Sequence, residues 1–309
     1  MVIDKLELKT PAAIRDFHDF GRHLFDRPVD PAAASALLDA VHRDRRFDAD
    51  LFLDEASFLA DPQYTGVNPR PGRNLLEKLD DHLGFIERSP MITGALTALL
   101  GDGYEILNKK LVCGVPDSVM PDWVKARIAG GMVNNLGCFV RPEYRDMTYF
   151  YGIDFHQDLI DYKDRDADFV TLYSYLHPVT RQDAPLFLLD GSHRLGATVF
   201  PHDLTRTGDE TWRYTDRKGG ETEVSQRVLV GGTGFTAVWH ACTLHGTQPD
   251  AADHERISLR YLFARKPGAP AGIDAVNRAL AGPVRLAGTR LDIADNGKPV
   301  MTGNTVNQV

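Results

Sequence analysis

The chain has 309 residues, is 43% hydrophobic and 25% charged, and carries a net charge of -8, enough for a sizeable core in one domain or two. The acidic balance argues against a nucleic-acid partner, which needs clustered Lys and Arg, and no stretch approaches the ~20 apolar residues of a membrane span. The opening residues lack the basic start and apolar core of a signal peptide, and Cys113, Cys138 and Cys242 are widely spaced without a Cys-x-x-Cys, so free thiols in a cytoplasmic protein are expected.

The first hundred residues read as helices. Asp30 and Pro31 form a cap and a first-turn proline, after which Ala34, Leu37, Leu38 and Val41 recur at helical spacing. Ser89 and Pro90 repeat that logic before Ile92, Ala95, Leu96 and Leu99, with Gly101 as the stop. Residues 72–86 give a weaker helix, and 117–129 another in which Pro121 bends or restarts the chain.

From about residue 104 short runs rich in β-branched and aromatic residues take over, at 104–113, 131–140, 147–156, 169–176, 185–190, 224–230, 234–245 and 256–264. Glycine-rich turns separate them. About eight strands after a helical region predict a mainly β fold with α. It is a double-stranded β-helix, or jelly roll of the cupin kind, with N-terminal helices packed outside one sheet. The expected organisation is one catalytic domain: a mostly helical cap at 1–103, the jelly-roll core at 104–265, and a tail at 266–309 with a short helix near 273–281.

Within the run from Tyr149 to Asp158, His156 and Asp158 are two positions apart. On an extended strand they point the same way, while Gln157 points out. A second imidazole from elsewhere completes a 2-His-1-carboxylate triad, which caps one face of an octahedral Fe(II) and leaves positions open for chemistry. The late run offers His240 and His245, five apart and hence on opposite faces of a regular strand. Arg256 follows His245 by 11 positions and alternates with apolar residues as Arg256, Ser258, Arg260 against Ile257, Leu259, Tyr261. A hairpin would bring Arg256 beside His245 and Thr247, which favours His245 as the ligand. The guanidinium of Arg256 can grip a carboxylate by two parallel hydrogen bonds and the Thr247 hydroxyl can add a third, a seat for a dicarboxylic cosubstrate.

Phe155-His-Gln-Asp158, Leu188-Leu-Asp-Gly-Ser-His-Arg194, Leu244-His-Gly-Thr247 and Arg256 together resemble the phytanoyl-CoA dioxygenase-like family of Fe(II)/2-oxoglutarate oxygenases over residues 104–265. The resemblance implies iron on His156, Asp158 and His245, with Arg256 and Thr247 on the 5-carboxylate of 2-oxoglutarate. It further implies O2-dependent hydroxylation of an unactivated C–H of a small metabolite, with release of succinate and CO2. An amino acid, a sugar or a natural-product intermediate is the expected substrate. The separation of Arg256 from the metal histidine matches the family, and Arg260, on the same face, is the rival for the carboxylate. Two departures stand out: Asp183-Ala184-Pro185 where the family usually has Asn-Gly, and Asp190 in place of the proline before Gly191.

Other readings compete. The same barrel could serve a zinc hydrolase or cupin-type isomerase, or a non-catalytic binding protein, and His156 with Asp158 could be a satisfied polar pair. His193 is expected to close a turn, and His177 to lie at the surface or in a turn. Lys109, Lys110, Asn134, Asn135 and Tyr151 come from strands near the cavity and could touch ligands or face outward. Trp123 and the loop 141–151 could form a lid or a packed edge.

Overall fold

The computed structural model describes residues 11–61, 74–162, 164–288 and 290–292. The opening residues 1–10, where a leader would stand, and the tail beyond 292 lie outside them. Seven α-helices are described: α1 Ala12–Phe20, α2 Pro31–Asp44, α3 Glu55–Ala60, α4 Gly84–Glu87, α5 Pro90–Leu100, α6 Asp122–Ile128 and α7 Ile273–Arg278. Twelve strands accompany them: β1 Arg22–Leu24, β2 Glu105–Gly114, β3 Val133–Asn135, β4 Thr148–His156, β5 Phe169–Tyr175, β6 Leu186–Asp190, β7 Asp203–Arg206, β8 Thr211–Thr215, β9 Glu221–Leu229, β10 Thr236–His240, β11 His245–Thr247 and β12 Arg256–Ala264.

Local chemistry sets the helix ends. The Asp30 carboxylate accepts from the Ala32 and Ala33 amides and Pro31 opens α2, as the sequence predicts. Ser89 makes no side-chain cap, so the expected capping of α5 reduces to Pro90 at its first turn and Gly101 at its end, where φ is 81°. Pro121 neither bends nor interrupts a helix; it stands just before α6 and restarts the chain. Of the weak helix expected over 72–86, the described part is two 3-10 turns, Leu75–Glu77 and Asp80–Leu83, running into α4.

The strands form one hydrogen-bonded path, β1-β10-β5-β12-β2-β4-β11-β6-β9-β8-β7, with β3 on β4. All pairings are antiparallel except β2 with β4, which joins the two walls of the jelly roll over three residues. The first wall is β1-β10-β5-β12-β2, and its outer face carries Leu111, Cys113, Val170, Leu172, Val238, Ile257, Leu259, Tyr261 and Phe263. These pack with Leu37 and Val41 of α2 and Ile92, Leu96 and Leu99 of α5 in a single buried cluster. Each fully buried large apolar side chain there contributes on the order of 1.5–3 kcal/mol.

That cluster fixes the register of β12. A slip of one residue would drive Arg256 and Arg260 into the apolar layer under the helices. The alternation places Lys110 and Val112 of β2, Tyr173 of β5, and Arg256 and Arg260 of β12 on a cavity between the walls. The helices therefore cover one sheet from outside, as expected.

Three strands were not foreseen. β1 is only three residues long, too short to show a period. The hairpin β7–β8 pairs Asp203–Arg206 with Trp212–Thr215 at the end of the second wall. Here the alternation was readable, since Trp212 and Tyr214 are buried while Arg213 between them is exposed. The run 234–245 is not one strand but two. β10 lies between β5 and β1, β11 lies between β4 and β6, and residues 241–244 cross from one wall to the other.

Candidate metal and cosubstrate site

His156 ends β4 and Asp158 opens a 3-10 turn, with Gln157 between them in extended conformation, φ -102° and ψ 142°. Parity therefore holds past the strand end, and the two side chains share the cavity. His245 is the direct cross-strand partner of His156. One donor atom from each of His156, Asp158 and His245 lies within 4.8 Å of the others. Of the histidines in the late run, His245 is the one that joins the set. His240 instead sits with Nε2 2.9 Å from Asn277 Oδ1, while its Nδ1 accepts from the Cys242 amide at 3.1 Å. The face argument that favoured His245 assumed a single continuous strand. What separates the two histidines is the wall-to-wall crossing at 241–244.

Both ligand imidazoles are oriented in the same way. His156 Nδ1 donates to the Asp154 carbonyl at 2.9 Å, and His245 Nδ1 donates to the Thr243 carbonyl at 3.1 Å, each two residues back. A carbonyl can only accept, so Nδ1 carries the proton and each Nε2 presents a lone pair. The rings lie 4.2 Å apart between centroids. Burial, and then the neighbouring His245, push His156 down to about 3, and burial lowers His245 as well, so both stay neutral near pH 7. Burial alone would raise Asp158, but Arg260, then His245 and His156, outweigh it and hold the carboxyl well below its usual range. Two neutral imidazoles and one carboxylate fit a divalent ion of the ferrous kind.

Asp158 is held from several sides. Trp239 Nε1 donates to Oδ2 at 3.3 Å, Thr171 donates to the same oxygen, and Arg260 pairs with Oδ1. Gln157 faces away from the cavity, yet it is only 2% exposed. Its Nε2 donates to the Gly196 and Cys242 carbonyls, both at 2.8 Å, and its Oε1 accepts from the Thr198 amide at 3.0 Å. The middle residue of the His-x-Asp step thus fastens the ligand turn to the crossing that carries His245. The Gly-Ser-His turn acts on the same crossing. Ser192 Oγ accepts from the Leu244 amide at 2.8 Å and donates to the Leu189 carbonyl at 2.7 Å. It is Ser192 that closes this turn, whereas His193 reaches the His18 carbonyl of α1 at 3.3 Å. Gly246 must be glycine for a further reason: a Cβ there would stand 2.8 Å from the Ile153 carbonyl, where β11 bulges against β4.

The expected hairpin between His245 and Arg256 does not form. β11 pairs with β4 and β6, and β12 pairs with β2 and β5, so the two residues approach one cavity from opposite walls. Arg256 is 1% exposed. Its Nη1 donates to Ser258 Oγ at 3.1 Å, its Nε has no partner, and no carboxylate pairs with it among the described residues. Thr247 also lines the cavity, but its hydroxyl proton goes to the Ala184 carbonyl at 2.8 Å. In this rotamer Thr247 does not offer the third hydrogen bond expected of it. Arg260, weighed as the rival for the cosubstrate carboxylate, is the partner of Asp158.

Of the strand residues named as possible contacts, Lys110 lines the cavity. Burial, and then Arg260, push its ammonium down to about 7. Lys109 turns outward to Asp80 and Glu87 at 2.6 and 2.9 Å. Tyr151 donates to Asp117 at 2.5 Å, Asn134 donates to the Gly131 carbonyl, and Asn135 Oδ1 accepts from the Gly137 amide. Trp123 packs against Phe58 and Phe139, while 141–151 forms a short 3-10 turn and the first half of β4. Trp123 therefore sits in a packed edge, while Phe150 of the 141–151 segment lines the cavity. Partly buried His177 accepts the Ile257 amide at 3.0 Å. Thr171, Tyr173 and Trp239 went unnoticed in the sequence because aromatic and hydroxyl residues in strands are ordinary; only the register shows that they face Asp158. The departing Asp190 has a partner of its own, pairing with Arg22 through two bonds of 2.7 and 2.6 Å.

No family model matches the chain. It is 27% identical over 113 residues to a probable alpha-ketoglutarate-dependent hypophosphite dioxygenase of Stutzerimonas stutzeri, a match spanning 36% of this chain and 38% of that relative. Among solved structures it resembles the epimerase SnoN, crystallised with Fe3+, alpha ketoglutarate and nogalamycin RO, at 15% identity and a TM-score of 0.50, covering 97% of each chain. It also resembles the non-heme alpha ketoglutarate dependent carbocyclase SnoK at 12% identity and a TM-score of 0.50, covering 93% of this chain and 97% of that one. These likenesses show the fold, a jelly roll shared with those two enzymes. Among the described residues, no helix is long and apolar enough to cross a membrane.

Proposed function

We propose that the chain is an Fe(II)- and 2-oxoglutarate-dependent dioxygenase that hydroxylates an unactivated C–H of a small molecule, kin to the phytanoyl-CoA dioxygenase-like enzymes. One observation carries the reading. Three metal-type donors converge at a cavity that also holds Arg256, a buried guanidinium that makes no ion pair with a carboxylate of the described residues. A buried unpaired cation costs several kcal/mol, and an entering carboxylate would relieve that cost. When bound, iron and 2-oxoglutarate supply the activation of O2, and succinate and CO2 leave.

The protein's own residues do the rest. His156 and His245 give Nε2 lone pairs, aimed by their carbonyl-bound Nδ1 protons. Asp158 brings the negative charge, steadied by Thr171, Trp239 and Arg260. Arg256 seats the far carboxylate of the cosubstrate, with Ser258 bracing the fork; Thr247 can join only by turning from Ala184. Val112, Val133, Phe150, Ile153 and Leu186 line the cavity with apolar surface and exclude water. The helical cap at 1–103, the core at 104–265 and the tail at 266–309 belong to one catalytic domain in this reading. Free thiols at Cys113, Cys138 and Cys242 support a cytoplasmic setting.

The test is anaerobic loading with Fe(II) and 2-oxoglutarate, followed by oxygen and a panel of small metabolites. Substrate-dependent succinate release, a product heavier by one oxygen, and loss of both in Asp158→Ala are the expected result. Full activity in Asp158→Ala would contradict the ligand set. Turnover that needs no oxygen would favour the zinc hydrolase or isomerase instead.

A further inference from the structure

We infer that the cleft between the β8–β9 turn and the C-terminal segment is a second small-molecule site, one that takes a monocarboxylate with an apolar body. The cleft holds about 430 Å³ and shares no lining residue with the metal cavity. That volume is ordinary for a ligand pocket. Leu195, Ala197, Val199, Pro283, Ala287 and Leu291 give it apolar walls, and Arg217 and Lys218 reach it from the turn.

The group that calls for an occupant is His202. It lines the cleft, is 9% exposed, and its Nε2 has no partner among the described residues. Phe200 and Tyr214 meet the imidazole edge-on at 5.8 and 5.9 Å between centroids, which fixes the ring. Its Nδ1 lies 2.9 Å from Thr198 Oγ1, and the same oxygen bonds the Tyr214 hydroxyl. The supply of protons decides which way these bonds run. If Tyr214 donates to Thr198 and Thr198 donates to Nδ1, both hydroxyl protons find acceptors and the imidazole proton stands on Nε2. If His202 donates instead, the proton of Tyr214 or of Thr198 is left without an acceptor among the described residues. The first arrangement therefore holds, and its single unanswered donor is the buried Nε2–H. Such an orphan costs about 1–3 kcal/mol, which a ligand oxygen would recover.

The surroundings select an anionic oxygen. Burial, then Arg217, then His245 push His202 down to about 3, so the ring is a neutral donor with the Arg217 charge acting on it. Arg217 is exposed and makes no ion pair with a described residue. Two carboxylates also line the cleft, but their lone pairs are directed elsewhere. Asp216 Oδ1 takes the Lys218 and Gly220 amides, both at 2.8 Å, and Asp203 Oδ2 takes the Thr215 hydroxyl at 2.9 Å. The donor is also firmly built in, because the Thr198 amide is held by Gln157 Oε1 at 3.0 Å. A fixed N–H, a guanidinium over the same cleft and apolar walls suit a carboxylate head on an apolar body.

The experiment titrates the full chain calorimetrically with sodium hexanoate, hexan-1-ol and hexylammonium chloride at constant ionic strength. Wild type, His202→Phe, Arg217→Gln and Arg256→Met are compared after circular dichroism confirms folding, with His202→Asn used should the phenylalanine variant not fold. Saturable binding of hexanoate in preference to the alcohol and the amine is the expected result. It should weaken about tenfold or more in the His202 variant, as for one lost charge-assisted hydrogen bond. The loss should be about threefold in Arg217→Gln, whose charge is solvated, and Arg256→Met should bind as the wild type does. No saturable binding, or equal binding of the alcohol or the amine, would overturn the inference. So would indifference to the His202 substitution, or a loss confined to Arg256→Met, which would place the anion in the cosubstrate seat.

Discussion

His156 and His245 are direct partners across β4 and β11, and each anchors its Nδ1 proton on the carbonyl two residues before it. The symmetry has a physical use. A strand pairing, unlike a loop, fixes the spacing of two ligands, and the matched backbone bonds fix both tautomers.

That spacing depends on Gln157. Its amide satisfies two carbonyls and one backbone amide in a buried place, so Gln157→Ala strands three polar groups. A loss of about 3 kcal/mol in unfolding free energy is expected from chemical denaturation, together with weaker metal binding because the crossing to His245 loosens. Unchanged stability would remove Gln157 from this role.

Arg256→Met should weaken 2-oxoglutarate by roughly 100-fold or more while leaving metal affinity near the wild-type value, since two charge-assisted bonds are lost. Arg256→Lys restores the charge but not the fork, and should recover only part of the loss. Cosubstrate affinity measured on the metal-loaded protein checks both.

The Asp183-Ala184 departure also has a structural reading. Ala184 adopts φ 47°, the left-handed region that favours glycine. Ala184→Gly is therefore expected to stabilise the fold by roughly 0.5–1 kcal/mol, the relief of the Cβ clash less the added chain entropy. Thermal unfolding measures this, and a lower midpoint would contradict it.

Buried neutral histidines set the acid limit of the metal-free protein. Burial pushes His240 down to about 4, with Asn277 opposing, and pushes His193 to about 3 with help from His240. Folded values below the unfolded ones mean that the unfolded chain binds more protons between these limits. The stability they confer is complete above about pH 6.5 and is lost as pH falls toward 4, with His240 alone accounting for about 3 kcal/mol. His240→Gln should make the unfolding midpoint fall less steeply over that range; an unchanged slope would show that His240 does not carry the effect.

Much of this was legible beforehand, and the remainder shows where sequence reasoning ends. The alternation in β12 declared which side of the strand the arginines take, because four apolar residues must enter the layer under the helices. His156 and Asp158 were readable because period two survives the short extended step at Gln157. The neighbour of β11 was not readable. A short link between Thr247 and Arg256 suggests a hairpin, but in a jelly roll the chain crosses between walls, and only the three-dimensional pairing reveals it. For the same reason the burden on Thr247 was overestimated, its proton being claimed by a carbonyl 63 residues earlier in the chain. Arg260 was placed on the right face but given the wrong partner, since its contact with Asp158 depends on the distance between walls.

The most direct test is an anaerobic Fe(II) titration of the wild type, His245→Ala and His240→Ala in parallel. The account predicts about one ion per chain, as befits a single three-ligand site, in the wild type and in His240→Ala, with binding lost in His245→Ala. Binding that survives in His245→Ala, or disappears in His240→Ala, would contradict it.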